Sequence, residues 1–364
     1  MRKLLDYLIS ILCKPKKLPK EFRPKSIFIL RNNDLGDFVL ITPLLRELKK
    51  KLPNAKVYLG LGPWTSSLTE NNPYIDELIP CPAPWHNKQV CNYPANTIRH
   101  WVIAFKFILF SITTKNIKSK KIELAIDILG SPQGTLLHSY CKIPYRFGVK
   151  GYAGGENGCQ KYIDWKVDDN VTRTALKNLE LLNLTKTQKL STKPEIYLTK
   201  NEFEQGKSFW NEKGKTKLII APGGGFKEKC WPNSNYQKLC SALCSTNQFE
   251  ILIIGGKEDI SFGQDLERIE NIRNICGKTS LRETCAIVSQ ANQVICNSSF
   301  MMHCAAAFEV PALVLLGEWY DSTELHKKQW GHNSTMLLGK EVDNGKTKIA
   351  SPDEVMLMLQ KLYL

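Results

Sequence analysis

The chain has 364 residues, is 43% hydrophobic, and carries 50 Lys+Arg against 35 Asp+Glu, a net charge of +15 with a pI near 9.2. That length allows two cores of ordinary size, and the positive field favours anionic partners (phospholipid head groups, phosphorylated glycans or nucleic acid) without choosing among them. The 12 cysteines occur singly with no Cys-x-x-Cys pair, which excludes a zinc ribbon or dithiol motif and reads as reduced thiols in a cytoplasmic protein.

Met1–Cys13 places Arg2 and Lys3 before an apolar stretch that Asp6 interrupts, and Lys14, Lys16, Lys17, Lys20, Arg23 and Lys25 follow. The segment is too short to span a bilayer. Asp6 and the lack of a small-residue cleavage pattern argue against a secretory signal, and Leu12 before Cys13 fits a lipoprotein site poorly. Two readings stand: an amphipathic helix on an anionic membrane surface, or a helix docked on the domain.

Beyond it, strands are expected at Ser26–Arg31, Lys56–Gly60, Leu124–Leu129 and Tyr145–Val149, with helices at Asp37–Lys51, Trp64–Glu70 and Gln133–Tyr140. Between Pro80 and Lys121 this rhythm breaks. Prolines 82, 84 and 94 mark a loop, His100–Phe110 is an almost wholly apolar run of helix length, and Lys115–Lys121 is basic. Such a helix is either core or a lipid contact, and core is the plainer reading. After a helix at Val171–Leu184, the polar stretch Thr185–Pro194 reads as a linker.

A second series follows, with strands at Lys217–Ala221, Glu250–Ile254, Gln293–Cys296 and Ala312–Leu316. Its helices are expected at Ser234–Cys244, Phe262–Ile269, Ser280–Gln290 and Met302–Phe308. Ser351-Pro-Asp-Glu opens a last helix with a cap, a proline and acids in the first turn. Two successive βα arrays imply an α/β protein of two Rossmann-like domains with a cleft between them. The expected boundaries are a basic N-terminal segment over 1–25, a first Rossmann-like domain over 26–185, a second over 195–340 and a C-terminal helix over 351–364.

Three constellations carry chemistry. Asp37 stands where the first strand gives way to a helix. It suits the one carboxylate that a glycosyl transfer with inversion needs, which takes the proton of the attacking hydroxyl; its second reading is a plain helix cap. Ala221-Pro-Gly-Gly-Gly-Phe-Lys-Glu-Lys-Cys-Trp-Pro232 puts Gly223, Gly224 and Gly225 directly after a strand, where backbone N–H groups can approach an anion, with Lys227 and Lys229 to balance phosphate. Neither a Walker loop nor a dinucleotide fingerprint has this spacing. Asn297-Ser298-Ser299 ends a strand before a helix, which suits phosphate binding and plain N-capping equally. His303, on the apolar helix that follows, reads as a packed histidine. Asp-x-Asp occurs nowhere, so a glycosyltransferase here is expected to work without metal or other cofactor, its leaving-group charge offset by Lys229 and helix N-termini.

The chain resembles the ADP-heptose:lipopolysaccharide heptosyltransferases, glycosyltransferase family 9. The likeness runs from about Lys25 to Leu359 in three blocks. They are Arg31-x-x-x-Leu35-Gly36-Asp37 with Thr42-Pro43; Pro222-Gly-Gly-Gly with Lys229-x-Trp231-Pro232; and Cys276–Glu283 followed by Asn297 and His303-x-Ala-Ala-Ala. The resemblance implies a GT-B fold and an inverting, metal-independent transfer from an ADP-linked heptose held by the C-terminal domain. It implies Asp37 as base, Lys229 on donor phosphate, Gly224 and Gly225 near the diphosphate, and Thr279 and Ser280 beside the nucleotide. Two departures stand out: Ser298 replaces an aspartate and Phe300 a glycine of the family pattern, and Gly317-Glu318-Trp319 replaces a Gly-Pro-Thr turn.

These readings converge on a glycosyltransferase acting on lipopolysaccharide core or a related glycolipid, peripheral to the inner membrane on its cytoplasmic side. The acceptor is expected against Trp85, Arg99, Trp101 and Lys106. The alternative is a catalytically silent nucleotide- or glycan-binding member of the fold, for which Ser298 and Phe300 speak. Nucleic acid is not expected as a partner, since no recognition motif accompanies the charge.

Overall fold

The structure is a computed structural model that describes residue 7 and residues 9–152, 154–185, 190–211, 214–269, 271–341 and 347–363. Most of Met1–Leu8, on which the interfacial-helix reading partly rests, and part of the expected linker lie outside these residues. The chain separates into two compact units, Met1–Thr192 and Lys193–Leu364.

In unit 1 the order is β1 (Ser26–Leu30), α1 (Leu35–Lys51), β2 (Lys56–Leu61), a 3-10 helix (Pro63–Thr69), β3 (Glu77–Pro80), α2 (Ile98–Phe110), α3 (Ile112–Ser119), β4 (Leu124–Asp127), α4 (Pro132–Tyr140), β5 (Tyr145–Lys150), β6 (Lys161–Asp164) and α5 (Val171–Leu181). All six strands are parallel in the order β3-β2-β1-β4-β5-β6. Helices cover both faces, so β4 and all of β1 after Ser26 are buried and their apolar runs do not alternate.

Helix α1 carries Pro43 in its interior, where proline cannot donate to the carbonyl four residues back. That carbonyl belongs to Val39, and the Thr42 hydroxyl donates to it at 2.7 Å. The Thr-Pro pair thus repairs the hydrogen bond that its own proline removes.

Unit 2 continues with α6 (Lys200–Ser208), β7 (Thr216–Ala221), α7 (Asn233–Ser245), β8 (Phe249–Ile253), α8 (Ile260–Glu267), β9 (Ile272–Asn274), α9 (Leu281–Val288), β10 (Gln293–Asn297), α10 (Phe300–Ala307), β11 (Ala312–Leu315), α11 (Thr323–Trp330), β12 (Thr335–Leu338) and α12 (Pro352–Tyr363). Its parallel sheet runs β9-β8-β7-β10-β11-β12, the same topology as the first. Helix α12 returns to this unit's core through Val355 and Leu359, beside Trp231 and Tyr236.

In each sheet the strand order reverses between two central neighbours, β1 and β4 in one, β7 and β10 in the other. Open α/β sheets bind ligands outside the carboxyl ends of strands at that reversal. Asp37 follows β1, the glycine loop follows β7, and Asn297–Ser299 follows β10. All three expected constellations stand at a switch point.

Candidate active site

In unit 1 the turn between β1 and α1 is tied down from several sides. Asn32 Nδ2 donates to the carbonyls of Ala83 and Trp85 at 3.1 and 3.0 Å, and Asn87 Nδ2 returns a bond to the Asn32 carbonyl at 3.2 Å. Trp64 Nε1 donates to the Asn33 carbonyl at 2.8 Å. Asp37 is the third residue of α1, and its Oδ2 accepts the Asp34 N–H at 3.2 Å. The Asp37 cap is therefore real, but its other oxygen does something else. Oδ1 accepts from Arg31 Nη2 at 2.5 Å; the arginine side chain is buried, while the carboxylate remains 17% exposed. One oxygen held by a buried guanidinium and an edge open to solvent make a positioned carboxylate with access to a ligand.

Beside it, at the end of β4, lies a carboxylate that the sequence reading passed over. Asp127 pairs in register with Leu30. Its oxygens accept the N–H groups of Leu129, Gly130 and Ser131 at 2.9–3.0 Å and the Ser131 hydroxyl at 2.9 Å. Burial pushes this carboxyl upward, against the pull of those donors. A Cβ on Gly134 would lie 2.0 Å from Asp127 Oδ2, so the helix start closes on the carboxylate. With its acceptor capacity filled, Asp127 shapes the switch point. The available signal was an aspartate at a strand end before Gly-Ser-Pro.

The residues expected to meet an acceptor divide. Arg99 and Lys106 are exposed on α2, Trp101 is half-buried there with its ring 5.8 Å from that of Phe105, and the Arg99 guanidinium lies 5.6 Å from the Tyr93 ring. Trp85 does not belong with them. It is 1% exposed and packs edge-on against Phe107 inside the core, which closes its ring to an acceptor.

In unit 2, Asn297 organises the glycine loop. Its Oδ1 accepts the Trp231 N–H at 2.9 Å and the Tyr236 hydroxyl at 3.1 Å, while Nδ2 donates to the Pro222 carbonyl at 2.5 Å. One buried amide thus fixes the end of β10 to both ends of the loop that holds Gly223, Gly224 and Gly225. A Cβ on Gly223 would come within 2.4 Å of Asp259 Oδ2, and on Gly224 within 2.7 Å of Cys230 Sγ; at Gly225 it would meet nothing. Gly224 and Gly225 are exposed.

Lys229, half-buried, stands at the centre of an aromatic group. Its Nζ lies 4.9 Å from the Phe226 ring centroid and 5.9 Å from those of Trp319 and Tyr320, and Phe226 and Trp319 stack on each other. Rings that face an ammonium hold it by their quadrupoles and restrict its reach. Trp319, in the Gly317-Glu318-Trp319 turn, is thereby part of the lysine's surroundings.

Ser298 is not a free hydroxyl. It bonds His326 Nε2 at 2.9 Å and also the Tyr320 hydroxyl. Burial, and then Lys229, hold His326 down to about 4, so the ring is neutral near pH 7. Ser299 caps α10, accepting the Met301 N–H at 3.4 Å, and Phe300 is the first residue of that helix. His303 packs as expected, buried with Nδ1 2.8 Å from His332 Nε2. Thr279 Oγ1 lies 2.9 Å from Thr284 Oγ1, and Ser280 forms a reciprocal cap with Glu283 at the start of α9. All 12 cysteines are free thiols. Among the described residues no three His, Cys, Asp or Glu side chains converge as metal ligands.

The family model of glycosyltransferase family 9 (heptosyltransferase) matches residues 112–354. Lipopolysaccharide heptosyltransferase 2 of Salmonella typhimurium is 22% identical over 313 residues, which cover 80% of this chain and 82% of that protein. The crystal structure of the family 9 glycosyl transferase from Veillonella parvula superposes with a TM-score of 0.74 at 19% identity, covering 95% of this chain and 99% of that one. The structure of E. coli ADP-heptose lps heptosyltransferase II gives 0.70 at 17% identity, covering 93% and 98%. These likenesses, with the two six-stranded sheets, identify the GT-B fold.

Proposed function

Since the chain belongs to glycosyltransferase family 9, the heptosyltransferase family, we propose that it moves a heptose from ADP-heptose to lipopolysaccharide core or a related glycolipid, with inversion and without a metal. Unit 1 supplies the base and unit 2 holds the donor. The observation that carries this reading is the Asp37 carboxylate, fixed by Arg31 at the switch point of the first sheet yet open along one edge.

In the reaction an acceptor hydroxyl gives its proton to Asp37 while its oxygen attacks the anomeric carbon. That carbon's bond to the diphosphate oxygen breaks, and ADP leaves with the electron pair. Lys229, the N–H groups of Gly223–Gly225 and the start of α10 with Ser298 and Ser299 offset the charge on the leaving diphosphate. Thr279 and Ser280 lie toward the nucleotide. Arg99, Trp101 and Lys106 meet the acceptor's sugars and phosphates, and the reaction runs at the cytoplasmic face of the inner membrane.

The test is transfer itself. Purified protein, ADP-heptose and a lipid-free core oligosaccharide should yield a product heavier by one heptose. Asp37→Asn should lower turnover by roughly 10²–10⁴-fold while ADP affinity changes little. Turnover that survives in the variant would remove Asp37 from the base role.

A second reading has its own observation. Ser298 is engaged by His326 and Tyr320, and Phe300 brings a large side chain to the start of α10. If these close the donor pocket, the chain is a silent member of the fold. Calorimetric titration then shows no heat with ADP or ADP-heptose.

A further inference from the structure

Helix α2 is apolar on two opposite sides, yet only one of them is covered. His100, Ala104 and Ile108, spaced four apart, face the unit 1 core, with Phe107 packed beside them. On the opposite side Ile98, Val102, Phe105 and Leu109 recur at helical spacing and are exposed, and Phe110 and Ile112 extend the row into α3. Ile98 and Phe110 are each 74% exposed and Ile112 67%. Single exposed apolar residues are ordinary; a continuous row of six is a surface awaiting a partner.

The charge around this row says which partner. Residues 78–122 contain no aspartate or glutamate and seven cations: Lys88, Arg99, Lys106, Lys115, Lys118, Lys120 and Lys121. Lys120 is paired with Glu77 and Lys118 lies over the Tyr140 ring, while Lys115, one turn along α3 from Ile112, and Lys121, just past the end of α3, are exposed. An apolar strip flanked by an excess of cations is the pattern of a helix that lies in the plane of an anionic bilayer, its side chains below the head groups and its lysines among the phosphates. A second copy of this chain fits poorly, because pairing through this face would bring two surfaces with an excess of cations together. Among the described residues no helix is long and apolar enough to cross a membrane, so the contact is lateral.

We infer that the exposed row of α2, extended by Ile112 and flanked by Lys115 and Lys121, is a docking surface for an anionic lipid bilayer. The inference deepens the proposed function and rests on its lipid-linked acceptor: a bilayer held along α2 brings the lipid-borne sugar to the helix that carries Arg99, Trp101 and Lys106.

The experiment measures co-sedimentation of the full chain with vesicles, without donor or acceptor. Vesicles rich in phosphatidylglycerol should bind the protein, phosphatidylcholine vesicles should bind it at least tenfold less, and high salt should weaken the capture. Combining Ile98→Glu, Phe110→Glu and Ile112→Glu should reduce binding to phosphatidylglycerol by at least tenfold. The same variant should keep its melting temperature and its transfer to the lipid-free oligosaccharide, and lose transfer to acceptor embedded in vesicles. Because those three side chains are largely solvated already, a second variant, Lys115→Glu with Lys121→Glu, reads the charge alone and should shift the salt dependence.

Undiminished vesicle binding in both variants overturns the inference. So does binding that survives them but disappears when Lys14, Lys16 and Lys17 are replaced, because the contact then belongs to the N-terminal segment. A dimer in solution that the triple variant dissolves, without vesicle binding by the wild type, assigns the face to a second copy. Absence of transfer to the lipid-free acceptor would count against the proposed reaction alone, since vesicle binding is measured apart from it.

Discussion

Arg31 Nη2 donates to Asp37 Oδ1 at 2.5 Å from a side chain that is itself buried, so the guanidinium is a fixture of the fold and the carboxylate is oriented by it. Arg31 Nε has no hydrogen-bond partner among the described residues, although it is buried. The arginine is therefore held for its Nη2 contact at the expense of another donor.

Replacing Arg31 by glutamine should lower turnover by roughly 10–100-fold, the size expected when a catalytic group loses its orientation, with the donor KM nearly unchanged. Arg31→Lys keeps charge but loses the planar fork and should recover only part of the rate. Steady-state kinetics on the lipid-free acceptor decide this. Equal rates for both variants and the wild type would leave Asp37 positioned by its helix alone.

Asn297 offers a stability prediction. Alanine there strands the Trp231 N–H and the Tyr236 hydroxyl, both buried, and frees the Pro222 carbonyl. Leaving buried donors unpaired costs about 1–3 kcal/mol each, so urea unfolding of Asn297→Ala should show a loss of about 2–6 kcal/mol. ADP affinity should fall as well, because the glycine loop loses its anchor. A variant as stable as wild type would mean that the loop holds itself.

The expected elements and the observed ones agree best where strands are central. β1, β4, β7, β8, β10 and β11 are apolar in their middles and buried on both faces apart from Ser26, Thr216 and Lys217 at strand starts, and their ends fall within about two residues of expectation. The outer strands β3, β6, β9 and β12 went unassigned, because a three- or four-residue edge strand such as Ile272–Asn274 carries little apolar signal. Lys115–Lys121 reads as a basic stretch, whereas Ile112–Ser119 forms a helix whose Thr113, Thr114 and Ile117 face inward. At the site, Asp37 and the glycine loop were legible because local spacing defines them. The Ser298–His326–Tyr320 cluster was not: Tyr320 and His326 lie 22 and 28 residues beyond Ser298 along the chain, and only the return of the chain at the start of α11 brings them to it.

Buried histidines give the protein an acid limit. Burial holds His138 down to about 3 and His326 and His332 to about 4, against an ordinary value of 6.5. The unfolded chain takes up a proton on each as pH falls through 6.5, while the folded protein does not until about 4 or below. The unfolded state then binds more protons, so stability falls as pH drops from 6.5 toward 4 and is level above that window. Each ring contributes up to about 3 kcal/mol. Melting temperatures between pH 7 and 4.5 should decline, and His326→Gln, which keeps a hydrogen-bonding side chain beside Ser298, should decline less steeply. A flat profile would show these rings to be solvated.

The three glycines of the β7 loop separate folding from ligand binding. At Gly223 an added methyl would meet the Asp259 carboxylate at 2.4 Å, so that side chain must swing away and give up its bond from the Gly256 N–H, and Gly223→Ala should destabilise unit 2 by about 1 kcal/mol whether or not a ligand binds there. At Gly225 the same methyl meets nothing within 4 Å, so Gly225→Ala should leave the melting temperature of the free protein unchanged. If the exposed backbone at Gly225 lies against the donor diphosphate, the methyl obstructs that approach and ADP affinity falls by roughly tenfold or more. Calorimetric titration of both variants beside thermal melts makes the comparison. An unaltered ADP affinity in Gly225→Ala would move the diphosphate away from this loop, toward the start of α10.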